Sequence, residues 1–93
     1  MPTAYVLLNT EIGAENQVLK DLKELQGVEE AHALWGIYAI IANVKAETIE
    51  KLKHIITKKI ERIDKINSKL TIMTVDRIQN PNQDQLFFES SLI

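Results

Sequence analysis

HALWGIYAIIANV, residues 32–44, is the most apolar stretch of the 93-residue chain, and Gly36 interrupts it. Glycine weakens the interior of a strand or helix and is useful where the chain must turn. Gly36 therefore marks a turn. Val28–Trp35 and Tyr38–Val44 read as two strands separated only by Gly36-Ile37. Such a tight hairpin often needs the positive φ that glycine adopts freely.

The rest of the chain falls into place around that hairpin. AYVLLN (4–9) is short, apolar and β-prone, a first strand. In residues 13–27, Val18, Leu19, Leu22 and Leu25 recur on one face of a helix, which Gly13 opens and Gly27 closes. Residues 47–63 give a second helix with Ile49, Leu52, Ile56, Ile60 and Ile63 as its stripe and Ile55 beside it. INSKLTIMTV (66–75) is a fourth strand. The tail changes character at Asn80-Pro81-Asn82 and turns apolar again at Leu86-Phe87-Phe88. The order is β-α-β-β-α-β, with a right-handed split βαβ arrangement, an antiparallel sheet and both helices on one face.

That topology leaves one face of the sheet to be covered. Strand one has Ala4, Val6 and Leu8 on one side and Tyr5 and Leu7 on the other. Strand three sets Ile37, Ala39 and Ile41 against Tyr38, Ile40 and Ala42, and strand four sets Leu70 and Ile72 against Thr71, Met73 and Val75. A sheet covered on one side should alternate apolar with polar, and this one does not. Two helices on one face cannot cover the other, so a second chain is expected there.

Composition excludes several functions. Eleven Lys and Arg against thirteen Asp and Glu leave a net charge of −2, the wrong sign for a domain that neutralises phosphates alone. There is no cysteine, hence no disulfide, thiol nucleophile or thiolate metal site, and a cytoplasmic setting is expected. The N-terminus lacks a basic region ahead of its apolar run, and Leu34–Ala42 is half of what a bilayer requires. His32 and His54 are the only histidines and have no metal-competent neighbour at a useful spacing. Ser68, Thr71 and Ser90 lack a base or a nucleophile elbow. KHIITKKIER (53–62) reads as a solvated face. Trp35 and Tyr38 flank the turn, where aromatic side chains serve either as core lids or as the lining of a small-molecule pocket at a subunit interface.

Three segments, GVEEAHALWGIY, IIANVKAETIEKLKHII and KINSKLTIMTV, together with the opening strand, resemble the stand-alone ligand-sensing domain of the Lrp/AsnC family, the regulation-of-amino-acid-metabolism (RAM) domain. The resemblance runs to about Val75. It implies a ferredoxin-like α+β domain, dimers of α/β-barrel type that associate further into octamers or similar rings, and amino acids or other small metabolites bound between dimers near the hairpin. Residues 1–76 would form this domain. Residues 77–93 would be a C-terminal extension docked on a neighbouring subunit. Full-length relatives carry an N-terminal helix-turn-helix, which this sequence is expected to lack because it starts at the first strand.

The family's binding pattern carries over in part. Its turn reads Gly-x-Tyr-Asp; Gly36, Ile37 and Tyr38 match, while Ala39 replaces the acid that would hold a ligand's ammonium. Its fourth strand has two hydroxyl residues two positions apart; Thr71 matches the second, Lys69 replaces the first, and Ser68 precedes it. The expected ligand-binding set is Trp35, Gly36, Ile37, Tyr38, Ala39, Ser68, Lys69 and Thr71. Lys69 would either favour an anionic effector or snorkel to solvent.

The resulting expectation is a non-enzymatic, oligomeric effector sensor. It would modulate transcription or metabolism indirectly, alone or with full-length Lrp/AsnC-type regulators, with no cofactor, metal, membrane or direct DNA contact. Two rivals are a small α+β-barrel enzyme (monooxygenase- or isomerase-like), which would need a polar group in its core, and a purely structural assembly module. The interior is expected to be wholly apolar.

Overall fold

The computed structural model describes the backbone of residues 1–75 and 85–92 and the side chains of residues 1–73. The elements are β1 (Thr3–Thr10), α1 (Glu15–Glu24), β2 (Val28–Ala33), β3 (Ile40–Lys45), α2 (Ile49–His54), β4 (Ile66–Val75) and β5 (Gln85–Leu92). They build one antiparallel sheet in the order β2-β3-β1-β4-β5. The first four strands have the expected ferredoxin-like order, with β1 in the middle of the sheet.

Residues opposite each other in an antiparallel ladder share a face. Leu8 pairs with Ile40 on one side and Lys69 on the other, and Val6 pairs with Ala42 and Thr71. This row structure makes the helix-covered face: Ala4, Val6, Leu8, Ile40, Ala42 and Val44 are 0% exposed. Val18 and Leu22 of α1, Leu52 of α2, and Ile55, Ile56 and Ile60 after it complete the core, with Leu19, Leu25 and Ile63 packed at its margin. Burying a large aliphatic side chain of this kind stabilises by about 1.5–3 kcal/mol. On the opposite face Leu7, Ile41, Leu70 and Ile72 are only half-buried, and Tyr5 is exposed. Among the described residues nothing covers this second apolar sheet face.

Three departures from the sequence reading have local causes. The hairpin connection spans residues 34–39 rather than Gly36-Ile37 alone. β2 stops at Ala33 and β3 starts at Ile40, because the Ala39 N–H donates to the Leu8 carbonyl (2.9 Å) and the Leu34 N–H to the Ala39 carbonyl (2.7 Å). The second helix starts at a Thr48 cap, whose Oγ1 accepts from the Lys51 N–H at 3.1 Å, so Ile49 falls in the first turn, 42% exposed and outside the core. After His54 the helix widens into a π-turn, Ile55–Lys59, and closes with a tight 3₁₀ turn, Ile60–Arg62.

Residues 85–92 pair with β4 from Ser68↔Leu92 to Val75↔Gln85, adding a strand that the sequence pattern did not show. The boundary at residue 76 and the break at Asn80-Pro81-Asn82 lie outside the described residues, as do the side chains of Leu86, Phe87 and Phe88. Among the described residues no helix is long and apolar enough to cross a membrane.

Candidate functional site

The hairpin is anchored by β1. Leu8 and Asn9 both hold the Ala39 N–H, the first through its backbone carbonyl and the second through Oδ1 at 3.1 Å. Beyond that anchor the loop leaves the sheet. Trp35 is 105% exposed and Ile37 is 87% exposed. Gly36 adopts φ +147°, a conformation that disfavours other residues, with open space where a Cβ would sit. Tyr38 and Ala39 are half-buried at its base. Asn9 was not among the expected site residues; its position at the end of the apolar run in β1 is the one sequence signal of its role.

The β4 members reach the same end of the sheet. Ser68 lies opposite Asn9 and Lys69 opposite Leu8, two ladder steps, or about 10 Å, from Ile40. The pleat divides them. Ser68 takes the open face, and Lys69 and Thr71 take the helix-covered one. In the single chain the eight residues therefore do not close around one cavity.

Lys69 departs from one of its two sequence expectations. Its side chain is buried, not snorkelling. The ammonium donates to the Ile56 carbonyl at 3.0 Å and lies 3.5 Å from a Glu61 carboxylate oxygen. Ile56 belongs to the π-turn, where the ladder shifts register: the Ile60 N–H reaches back to Ile55. Lys69 thus supplies a donor to a carbonyl at the irregular turn and fastens that turn to β4. Thr71, two residues on, is 1% exposed, and its Oγ1 is buried without a hydrogen-bond partner among the described residues. The expectation of a wholly apolar core is corrected by these two residues. The cause is the π-turn, whose carbonyl gives a buried ammonium a partner. Among the described residues no cluster of three or more His, Cys, Asp or Glu side chains has metal-binding geometry. His32 and His54 are exposed.

A distinct cleft of about 560 Å³ opens at the other end of the sheet, between the α1–β2 turn and α2. None of the eight expected residues lines it.

Comparison with known proteins assigns this architecture. The family model for the Lrp/AsnC ligand binding domain matches residues 3–83. The regulatory protein AsnC of Escherichia coli K12 is 36% identical over 63 residues, 68% of this chain and 40% of that protein. The chain thus spans less than half the length of that curated relative. The crystal structure of FFRP-DM1 superposes with a TM-score of 0.77 at 32% identity, covering 81% of this chain and all of that one. A hypothetical protein from Pyrococcus horikoshii, PHS023, gives 0.77 at 29% identity over 89% of this chain and the whole of its own. In AsnC itself the match reaches 0.74 at 26% identity but covers only 52% of that chain. Family model, sequence identity and superposition agree, and the chain belongs to the Lrp/AsnC ligand-binding domain family.

Proposed function

We propose that this chain is a non-enzymatic effector-sensing module that works as an oligomer and alters transcription or metabolism through small-molecule binding and partner assembly. The observation that carries the reading is the exposed tip Trp35-Gly36-Ile37 beside an uncovered apolar sheet face. A second copy on the open face makes a dimer, and further contacts at the tips make an octamer or a similar ring. The effector then sits between dimers against Trp35, Gly36, Ile37, Tyr38 and Ala39, with Ser68 as a hydroxyl partner on the open face and Thr71 supporting the site's wall from the covered face. Residues 77–93 add contacts to a neighbouring subunit.

The effector is an amino acid or a small anionic metabolite. Ala39 offers no carboxylate to an ammonium group. The Lys69 ammonium is engaged by Ile56 and Glu61, so Lys69 enters the site by shaping its wall rather than as a free cation. The net charge of −2 supports action without direct DNA contact, through a full-length regulator of the same family.

The test is light scattering with calorimetry on the purified chain, using a panel of amino acids and dicarboxylates. Assembly above 10.6 kDa and saturable binding that Trp35→Ser abolishes are expected. Assembly without any binding would favour the purely structural module, and a stable monomer would refute both.

A further inference from the structure

We propose that the cleft between the α1–β2 turn and α2 is a second ligand site, separate from the hairpin, for an amphipathic monocarboxylate. Its size suits such a ligand, since small-molecule sites typically enclose roughly 300–1,000 Å³. The floor is apolar and built by close approach. Gly27 turns there at φ +100°, and a Cβ on it would stand 2.5 Å from Ile55 Cδ1. Ile55 and Ala46 are buried beside it. Glycine at this position thus lets Ile55 close the bottom of the cleft.

The rim is charged, and the π-turn sets which charges reach it. Along a regular α-helix the face carrying Glu47 and Lys51 would continue to Lys58, because residues seven apart nearly eclipse. The wider turn at Ile55–Lys59 slides that face by one position. Lys59 lines the cleft and is half-buried, whereas Lys58 is exposed outside it. Lys69, by fastening the Ile56 carbonyl, holds the turn that delivers Lys59. Lys45 and His54 face the same space.

The charge balance selects the ligand class. Lys51 is paired with Glu47 at 3.4 Å, and Glu50 also reaches the rim. Among the lining side chains three lysines against two glutamates leave one positive charge, and Met1 stands at the same rim; this small excess suits a carboxylate and opposes a phosphate-rich trianion. With the carboxylate at Lys45 and Lys59, an apolar tail lies on Gly27, Ala46 and Ile55. Pairing of two chains through the open sheet face leaves this helix-side cleft accessible.

The experiment titrates the ¹⁵N-labelled protein with sodium octanoate, with 1-octanol and inorganic phosphate as controls. Octanoate is expected to shift the amide signals of Gly27, Ala46, Ile55 and Lys59, and Lys59→Gln to weaken it by about tenfold, the worth of one charge-assisted hydrogen bond. Lys58→Gln, one residue away on the exposed side, should leave the affinity unchanged, and dispersed spectra of both variants certify the fold. The site is overturned if octanoate up to about 10 mM moves none of these signals, or moves only Trp35–Ala39. Octanol binding as tightly as octanoate would overturn the carboxylate assignment, and so would tighter binding of phosphate at the same residues. Equal weakening by Lys58→Gln and Lys59→Gln would overturn the role given to the π-turn.

Discussion

The two faces of the sheet carry the same kind of side chain and meet different fates. Ala4, Val6, Leu8, Ile40, Ala42 and Val44 are sealed under the helices, while Tyr5, Leu7, Ile41, Leu70 and Ile72 on the other face stay partly wet. Hydrophobic burial scales with apolar area and is indifferent to which surface covers it. One face therefore encodes the fold of the monomer, and the other is the surface left for the association proposed above. A single alternation pattern in the sequence serves both, and this is why the strands lack the polar half expected of a sheet with one solvated side.

The largest effect that separates the faces is Ile41→Asp. It leaves the monomer core intact but would bury an unpaired carboxylate on each side of a two-fold interface, each costing more than the roughly 2–7 kcal/mol of an unpaired neutral polar group. Light scattering should report the 10.6 kDa monomer with a native circular dichroism spectrum. An unchanged assembly would show that this face is not the contact. Leu22→Ala does the reverse. It empties a fully buried position on the covered face and should cost about 2–5 kcal/mol in urea unfolding, with the native state still associating. A loss of assembly without loss of stability would break the division of labour.

Two substitutions of smaller effect probe the polar pair within the covered face. Lys69→Met keeps most of the stem but strips the donor from the Ile56 carbonyl, and a drop of about 1–3 kcal/mol is expected. Glu61 is partly exposed, so its carboxylate can turn to water and adds little to that cost. Thr71→Val replaces an orphaned hydroxyl with a methyl group of similar shape and should raise stability by about 0.5–1 kcal/mol. A loss of effector affinity with unchanged or raised stability would mark Thr71 as a ligand contact. Loss of stability alone would mean that the hydroxyl has a partner in the assembled protein.

Much of this architecture was legible in the residues. Alternation in β1, β3 and β4 and the period of Val18, Leu22 and Leu25 follow from local geometry, since a strand repeats every two residues and a helix every 3.6. Gly36 marked the hairpin because its conformation is one that other residues avoid. The length of the connection was not legible, because the Ala39 N–H is held by Leu8 and Asn9, about thirty residues earlier in the chain. Nor was β5, whose ladder with β4 is a pairing that no periodicity within the tail announces.

The site divides along the same line. By itself, the sequence determined the residue types around the turn, the missing acid at Ala39 and the presence of a lysine at position 69. Only the tertiary structure decided what that lysine does. Strand parity put Lys69 and Thr71 on one face, but either face was open until β1 set the register, Leu8 opposite Lys69 and Val6 opposite Thr71. The π-turn then brought the Ile56 carbonyl to within 3.0 Å of the ammonium. Lysine at this position is tolerable in the interior because of that contact. A contact between residues thirteen apart, made across a helix–strand boundary, exists only once the whole sheet has formed.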